Sequence, residues 1–433
     1  PLGQARPIRF DLYARKSPNY YGALIEVSRG CPFLCEFCDI RVLPGNNRPH
    51  NKDVGLIIDE LDGYFRLGVT QFQFACDNFI GDLVWARECV DAIIDWKSRT
   101  GAKISIFTWL TINLYKLPDL MAKMRRAGFS ILFIGIESVN RNSLLETAKV
   151  QNTKSLLPAV QEIQAYGFII APGFIFGFDS DRETVFDDTL QFFLDSGLIG
   201  GDPSFLMALP GTPLFERVKR TGRLIERDES VTTREKIITN MRYLQDPEFL
   251  ARGFIGFLKR YTSARFQLAR FKKHLDAISA SEDFLANEGV GYGSPREYLK
   301  LQIKDPVNRR FMFLRIGYIL HNPATFIAVL RAWLMMKRLS RGIPGLAIHF
   351  NYWVYVWTNI GLKYWRLKES DIALHGVAAN FDINSLIDTA TTEATRLDAD
   401  GPKIEQQARL TNQALKQVVE DRLNREATAQ GGP

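Results

Sequence analysis

Hydrophobic positions in the first half of the chain follow two alternating patterns. Short apolar runs predict buried strands, and between them apolar residues recur every three or four positions, as on one face of a helix. The predicted strands are Gly22–Ser28, Gln71–Ala75, Lys103–Thr108, Ile131–Glu137, Phe168–Phe178 and Ser204–Leu209. The predicted helices are Val54–Leu67, Leu83–Trp96, Leu117–Ala127, Lys154–Tyr166 and Glu183–Asp195. Strands that alternate with helices form a parallel sheet with right-handed crossovers.

The pattern changes at about Ile225, where the alternation of strands and helices stops. The segments Arg234–Leu244, Pro247–Tyr261, Ala264–Leu275, Phe311–Leu320 and Ala324–Leu339 are predicted to be helical. Gly342–Trp365 is rich in aromatic residues, but polar residues interrupt it, which argues against a membrane-spanning helix. Lys403–Glu426 has apolar residues at helical spacing and predicts an amphipathic helix or a partner coil.

These patterns divide the chain into four predicted parts. Residues 1–19 form a linker, 20–225 an α/β core, 226–370 a helical domain and 371–433 a polar tail. A length of 433 residues also favours more than one domain. With 46% hydrophobic and 24% charged residues, the composition is that of an ordinary folded protein.

Three cysteines lie close together where the first predicted strand ends. Cys31, Cys35 and Cys38 have the spacing Cys-x3-Cys-x2-Cys, and the aromatic Phe37 precedes the last of them. A closed zinc site needs four protein ligands, and no fourth Cys or His follows in register. Three thiolates on a four-iron cluster would leave one iron open to a reactant. The alternative is a zinc knuckle or a chance spacing of buried cysteines.

The remaining cysteines and the net charge narrow the function less. Cys76 and Cys89 are too few for a second cluster held by four thiolates. So low a cysteine content argues against a disulfide scaffold and for a reducing compartment. The formal net charge of +7 is compatible with nucleic acid, anionic lipid or no specific partner.

The cysteine spacing resembles that of the radical S-adenosylmethionine (SAM) superfamily. The resemblance implies a partial (β/α)6 barrel, similar to a TIM barrel, with ligands at the carboxyl ends of its strands. It also implies a [4Fe-4S] cluster on Cys31, Cys35 and Cys38, whose open iron binds SAM. Transfer of one electron then cleaves SAM to methionine and a 5′-deoxyadenosyl radical.

The ends of the second and third predicted strands carry the next candidate residues. Asp77 and Asn78 stand where the family places polar groups on the SAM amino group, and Phe37 and Thr108 are further candidates for contact with the cofactor. A turn or a helix cap is the structural alternative for the Asp-Asn pair. Cys76 occupies a position where relatives often carry a second acid. This departure leaves the role of Cys76 open, with packing in the core as the structural alternative.

The fourth and fifth predicted strands complete the expected SAM site. Glu137 and Ser138 end a Gly-Ile-Glu-Ser sequence that is typical of the family, with an ion pair to an Arg as the structural alternative for the acid. Gly173, Ile175 and Gly177 form a Gly-x-Ile-x-Gly pattern that resembles the family's adenine-binding strand. Glycines let the backbone approach a flat ring, although they also mark β-bulges.

A closer resemblance is to the cobalamin-dependent (class B) branch with a C-terminal helical extension, which includes hopanoid methylases and lipid-ring synthases. It is carried by Ser28–Pro32, Cys35–Ile40 and Asp77–Gly81. Such proteins usually begin with a cobalamin-binding domain, which does not fit in the residues before Gly22. The start at Pro1 favours truncation over a natural variant without cobalamin. Cobalamin is therefore a further cofactor whose binding domain lies outside this chain.

The resemblance implies an enzyme that modifies an unactivated carbon, by methylation or C–C bond formation, on a small-molecule or lipid-like substrate. The alternative is a non-catalytic iron–sulfur protein for electron transfer or structure. We expect a ferredoxin or flavodoxin as electron donor, no nucleic acid, and a cytoplasmic location. The basic, aromatic region from Phe311 to Trp365 predicts either a helical cap on the barrel or a peripheral contact with the inner face of the membrane.

Overall fold

The computed structural model describes residues 8–14, 22–43, 45–152, 156–225, 236–286, 303, 306–386 and 401–430. Its strands are β1 (Ala23–Glu26), β2 (Ser28–Arg29), β3 (His50–Asn51), β4 (Gln71–Ala75), β5 (Ser105–Leu110), β6 (Phe129–Glu137), β7 (Ile169–Phe176), β8 (Asp202–Phe205), β9 (Ile237–Tyr243) and β10 (Ile372–Gly376).

The helices of the α/β core are α1 (Phe10–Ala14), α2 (Val54–Arg66), α3 (Leu83–Thr100), α4 (Pro118–Ala127), α5 (Arg141–Glu146), α6 (Leu156–Ala165), α7 (Val185–Ser196) and α8 (Pro213–Arg220). The later helices are α9 (Pro247–Tyr261), α10 (Ala264–Ser279), α11 (Pro306–His321), α12 (Pro323–Leu339), α13 (Ala347–Tyr364) and α14 (Gly401–Gln430).

Six strands form one parallel sheet in the order β1-β4-β5-β6-β7-β8. Each strand pairs with the next strand of the sheet along the chain, so every connection is a crossover to the neighbouring position. This arrangement confirms the predicted α/β fold with its six-stranded parallel sheet. The sixth strand covers Asp202–Phe205 and not the predicted Ser204–Leu209.

The two faces of the sheet have different surroundings, as β6 shows. Leu132, Ile134 and Ile136 are fully buried in a core that they share with the crossover helices. The alternate residues Phe133 and Gly135 are only half-buried and point to the opposite face. We call this opposite side, which lies on the far side of the sheet from the crossover helices, the inner face.

One predicted helix is a strand. The segment predicted as the helix Arg234–Leu244 contains β9, which pairs in parallel with β10. Ile237, Thr239, Met241 and Tyr243 are buried at every second position, whereas the residues between them are more exposed. Apolar residues here also recur at helical spacing, so the period alone was ambiguous, and the pairing strand is too distant in sequence to be detected locally.

Two sets of contacts hold the C-terminal helices, one among the later helices and one to the core. On α13, Trp353 and Trp357 are fully buried, and their indole N–H groups donate to Gln267 Oε1 at 2.9 Å and to the Thr262 carbonyl at 2.8 Å. Helix α14, which includes the predicted Lys403–Glu426, contacts α5, where Thr411 Oγ1 donates to the Leu145 carbonyl at 3.2 Å. The limits of the four predicted parts remain predictions.

Candidate functional site

The three motif cysteines lie in a long loop that is closed at its base. Strands β2 and β3 pair in antiparallel fashion on either side of it. Gly30, which opens the loop, has a φ of +91°, and a Cβ there would lie 2.2 Å from the Arg48 carbonyl oxygen. Only glycine fits this position without distortion. The loop therefore has a fixed starting point next to Cys31.

All five cysteines are free thiols. Cys35 is buried, while Cys31 and Cys38 are half-buried, and burial raises the pKa of the Cys38 thiol to about 11. Within the described residues, no three Cys, His, Asp or Glu side chains converge on a site for a single metal ion.

A buried ion-pair network anchors the cysteine loop to α8. The Arg217 guanidinium donates to both carboxylate oxygens of Glu36, at 2.8 and 2.9 Å, and also to Asp179 at 2.8 Å. Arg223 donates to the same Asp179 at 2.7 and 2.9 Å. Burial alone would raise the pKa of Asp179, but the two arginines lower it to about 2. Glu36 lies between two motif cysteines, so the network fixes the loop directly.

Asp77 and Asn78 lie against the same loop from the end of β4. Asp77 Oδ2 accepts a hydrogen bond from the backbone N–H of Gly30 at 2.6 Å. Asn78 Nδ2 lies 3.9 Å from Cys31 Sγ, and its buried Oδ1 has no hydrogen-bond partner among the described residues. Asp77 therefore positions the loop, and Asn78 presents an unused acceptor beside the first motif cysteine.

Three of the predicted cofactor residues have other surroundings than expected. Thr108 is fully buried, and its Oγ1 donates to the Phe74 carbonyl at 3.2 Å on the side of the sheet away from the inner face. Ser138 Oγ accepts from the backbone N–H of Asn140 at 3.1 Å and stabilises a turn. Gly177 has a φ of +93°, and a Cβ there would lie 2.5 Å from the Tyr243 ring. These contacts explain the residues without a cofactor.

Cys76 packs next to Thr108. Its Sγ lies 3.3 Å from Thr108 Oγ1, and burial raises the pKa of the Cys76 thiol to about 12. Cys76 is half-buried, and a neutral thiol with a hydroxyl neighbour favours the packing alternative for this residue.

Glu137 ends β6 in a strained conformation beside the cysteine loop. Its φ is +67°, which is unusual for a residue with a Cβ, and the pairing of β6 with β7 shifts register there. Its Oε1 accepts from Lys149 Nζ at 2.8 Å, and both side chains are buried. The partner of this acid is thus a lysine and not the arginine considered from the sequence.

Lys149 faces the motif cysteines. Burial alone would lower the pKa of its amine, but Glu137, Cys35 and Cys38 raise it, so the amine stays charged. Its Nζ also lies 5.8 Å from the centroid of the Phe37 ring. The structure therefore places a permanent positive charge next to the thiols, which favours bound negative charge.

The short segment after α5 contributes two more polar side chains. Gln151 Nε2 donates to Cys35 Sγ at 3.5 Å, and its buried Oε1 has no partner among the described residues. Asn152 Nδ2 donates to the carbonyls of Gly135 and Ile136 at 2.8 and 2.9 Å, which holds the end of β6. Sequence reasoning missed this segment, because no local pattern in it signals its position in the fold.

A cleft lies between the inner face and α13, with a volume of about 510 Å³. Glu137, Gly173 and Ile175 line it, so it is continuous with the predicted SAM site. The other lining residues are Phe133, Ala171, Pro172, Phe174, Gly201, Asp202, Ser204, Tyr352, Tyr355, Val356, Asn359 and Ile360. The lining contains two acids and no Lys or Arg, and most of it is apolar or aromatic.

The donors around the cysteine loop fit an iron–sulfur cluster with SAM. Three free thiols share one anchored loop, and the charged Lys149 faces them. The unused oxygen of Asn78 beside Cys31 can accept from an ammonium group. Of the predicted SAM residues, Asp77, Asn78, Phe37, Glu137, Gly173 and Ile175 lie at this site or at the adjoining cleft.

Comparison with known proteins identifies a domain in the first half of the chain. The family model described as "Radical SAM superfamily" matches residues 25–193. The chain is 36% identical over 212 residues to the hopanoid C-2 methylase of Rhodopseudomonas palustris, covering 48% of this chain and 40% of the relative. It is 29% identical over 337 residues to an uncharacterized methyltransferase of Synechocystis, covering 73% of this chain and 60% of the relative.

Two further comparisons complete the picture. A bacteriochlorophyllide d C-12(1)-methyltransferase of Chlorobaculum tepidum is 29% identical over 53% of this chain and 50% of its own length. The chain thus spans 40 to 60% of the length of these curated relatives. The solved structure of the radical enzyme OxsB with aqua-cobalamin and SAM is 14% identical, with a TM-score of 0.45 over 92% of this chain and 58% of OxsB. On the strength of the sequence matches, residues 25–193 form a radical SAM domain, and the chain is similar to relatives that include hopanoid C-2 methylase.

Proposed function

We propose that this protein is a radical SAM enzyme that methylates an unactivated carbon of a neutral, apolar substrate. One observation carries the proposal. The Glu137–Lys149 pair joins two sites, because Lys149 faces the motif cysteines while Glu137 lines the inner cleft. A radical formed beside the cysteine loop is thereby next to a cavity for a second molecule. The names of the relatives support methylation as the outcome.

The residues have separate tasks in this proposal. Cys31, Cys35 and Cys38 would hold the [4Fe-4S] cluster, and Asn78, Glu137 and the backbone at Gly173 would hold SAM. When bound, the cluster supplies the electron that cleaves SAM to methionine and a 5′-deoxyadenosyl radical. Asp77 and Glu36 fix the loop, and Lys149 keeps a positive charge beside the thiolates.

The cleft also needs to be dry for radical chemistry. Helix α13 covers the inner face with Tyr352, Val356 and Ile360, which restricts the access of water to the reacting carbon. A solvent-exposed radical would be quenched by unwanted donors. The contribution of α13 is therefore protection as well as substrate binding.

The charges of the cleft favour a neutral substrate. Its two acids are already paired, Glu137 with Lys149 and Asp202 with Lys363 at 2.8 Å. No lysine or arginine lines the cavity among the described residues, so the carboxylates of a tetrapyrrole would find no partner there. We therefore propose a lipid-like substrate, similar to the hopanoid that the Rhodopseudomonas relative is named for, over a chlorophyllide.

Two further components lie outside the described residues. Methyl transfer to an unactivated carbon needs a methyl carrier besides the radical, and the resemblance to the class B branch is the basis for proposing cobalamin. We also propose a cytoplasmic location and a reduced ferredoxin or flavodoxin as the electron donor, since the cluster must be reduced for each cleavage of SAM. No observation favours the non-catalytic iron–sulfur alternative, because an electron carrier needs no cleft beside its cluster.

The test is transfer of a labelled methyl group. Reconstituted, reduced protein is incubated with methylcobalamin, SAM that carries a CD3 group, and either a hopanoid in detergent or a chlorophyllide. Mass spectrometry should find the CD3 group on the hopanoid. Val356→Trp narrows the cleft and should lower this transfer at least about tenfold, while Asn351→Trp on the exposed side of α13 should not. Transfer to the chlorophyllide alone would contradict the proposed substrate class, and transfer to neither would contradict methylation.

A further inference from the structure

Two consecutive helices present large apolar side chains to solvent. Nine of the eighteen exposed large apolar residues in the described part of the chain lie on α11 and α12. They are Phe313, Leu314, Ile316, Leu320, Phe326, Ile327, Leu330, Trp333 and Leu334. We call these nine residues the apolar ridge. Phe313 and Leu320 are 61% and 60% exposed, so more than half of the surface of each residue is accessible to solvent.

The orientation of α12 is the reverse of an ordinary surface helix. Its buried positions are Thr325, Ala328, Ala332 and Met336, three of them small, while its bulky residues point outward. A helix of a water-soluble surface buries its large apolar side chains instead. Leaving a Leu or Phe exposed forgoes the stabilisation that burial of its apolar surface would contribute. A cluster of such residues indicates a surface that another apolar phase covers.

The charge around the apolar ridge has a single sign. From Pro306 to Lys368 the sequence contains no Asp or Glu, but it contains ten Lys and Arg residues. The whole chain carries a formal charge of +7, so the remainder carries a net −3. The positive charge of the protein is thus concentrated in this segment, which contains both helices of the ridge. This distribution complements an anionic surface and opposes contact with a second copy of the same segment.

The lengths of the two helices and the bend between them fit a position on the bilayer surface better than a membrane-spanning position. Among the described residues, no single helix has the length and apolar character needed to cross a bilayer. Arg309–His321 and Pro323–Leu339 reach the required length and composition only together, and they are bent against each other by 103°. Asn322 caps the second helix by accepting from the Thr325 N–H at 3.1 Å, so the bend is built in.

The ridge helices also reach the rim of the inner cleft. Arg315 of α11 lies 5.0 Å from the ring centroid of Tyr355, which is half exposed and lines the cleft. On the same side, the Tyr318 ring packs so closely on Gly361 that a Cβ there would lie 2.4 Å from its hydroxyl oxygen. Helices α11 and α13 are thus in direct contact, and the apolar surface adjoins the cleft.

We propose that the apolar ridge docks on the surface of a bilayer containing anionic lipid. The apolar side chains enter the boundary between headgroups and acyl chains, and the surrounding Lys and Arg residues contact the phosphates. The rim of the cleft at Tyr355 is then next to the bilayer, so an apolar substrate can reach the cleft without crossing water. The proposal of docking depends only on the apolar ridge, whereas the proposal of substrate delivery also rests on the proposed function.

Vesicle flotation tests the docking. Full-length protein is mixed with phosphatidylcholine vesicles, with or without phosphatidylglycerol, at low and high salt. We expect binding to the anionic vesicles that weakens as salt rises. Lys337→Gln/Arg338→Gln/Arg341→Gln should lower the partition coefficient on the order of a hundredfold, since each basic residue near the surface contributes about tenfold or less.

The apolar contribution needs a matched pair of variants. Phe326→Ser/Leu330→Ser/Leu334→Ser should abolish flotation, while Leu83→Ser/Val84→Ser, which removes exposed apolar residues from α3, should not. Circular dichroism checks that all variants are folded. The proposal would be overturned if the protein does not float with anionic vesicles. It would also be overturned if light scattering finds a dimer that the ridge variant converts to monomer. SAM cleavage in detergent is measured separately, so failure to dock and failure of the proposed function give different results.

Discussion

At the scale of single residues, the cysteine loop is held by side chains from three parts of the chain. Asp77 accepts from Gly30, Arg217 pairs with Glu36, and Gln151 donates to Cys35. Each contact fixes a different point of the loop. The positions of the thiols therefore depend on residues that bind no iron themselves.

Asp77 and Asn78 should have separable effects. Asp77→Ala removes the acceptor of the Gly30 N–H, a charge-assisted bond that contributes about 1.5–3 kcal/mol, and should lower both iron content and SAM affinity. Asn78→Ala removes only the unused acceptor and should weaken SAM binding with full iron content. Iron analysis and anaerobic titration calorimetry measure the two quantities. Equal iron loss in both variants would contradict the assigned roles.

Lys149 and Glu137 should stabilise the fold only as a pair. Lys149→Met leaves a buried carboxylate without its partner and should lower the free energy of unfolding by about 3–5 kcal/mol. The double variant Lys149→Met/Glu137→Leu buries no unpaired charge, so its free energy of unfolding should recover much of that loss. Urea unfolding of the iron-free proteins gives both values. If the double variant is no more stable than the single one, the pair is not coupled.

The predicted cluster cysteines were easier to recognise in the sequence than the residues that hold their loop in place. Cys31, Cys35 and Cys38 follow a spacing that can be recognised locally. Lys149 has no local signal, because it meets Glu137 only after α5 has turned the chain back. The cofactor role of Thr108 stays a prediction: its hydroxyl lies on the face of the sheet away from the cleft, and the face that a strand residue occupies depends on the register of its strand, which the sequence does not show.

At the scale of elements, the alternating core was predictable and β9 was not. Strands β4 to β7 have apolar runs between clear helices, so their order follows from the chain. The pairing of β9 with β10 joins Ile237 to Ile372, far apart in sequence. Where the apolar spacing is compatible with both a helix and a strand, pairing with a strand that is distant in sequence determines which of the two forms. The helical prediction for Arg234–Leu244 failed for this reason.

Helix α8 should be the main support of the cysteine loop. Arg217→Met leaves the buried carboxylate of Glu36 without its partner and leaves Asp179 paired with Arg223 alone. It should therefore lower the free energy of unfolding by about 3–5 kcal/mol and reduce iron loading. Lys219→Met, on the exposed side of α8, should change stability by no more than about 0.5 kcal/mol. Denaturation followed by circular dichroism and iron analysis compare the two. If the Arg217→Met protein is less stable but binds iron normally, the ion-pair network does not position the cysteine loop for iron binding.

At the scale of the whole molecule, three regions lie next to one another. The cysteine loop lies at the carboxyl ends of the strands, the cleft follows the inner face, and the apolar ridge adjoins the rim of the cleft. The aromatic and basic composition of the later helices was visible in the sequence. Their attachment was not, because it depends on contacts such as Lys363 with Asp202, which are distant along the chain.

The central claim, that the cysteine loop supports reductive cleavage of SAM, is tested most directly by measuring 5′-deoxyadenosine. Anaerobically reconstituted protein, reduced with dithionite and supplied with SAM, should hold about four iron atoms per chain and form 5′-deoxyadenosine. Cys76→Ala/Cys89→Ala should do the same, since Cys76 contacts Thr108 and Cys89 is fully buried in the core. Cys31→Ala/Cys35→Ala/Cys38→Ala should lose both iron and product. A full iron content in that triple variant, or no 5′-deoxyadenosine from fully loaded native protein, would contradict the account.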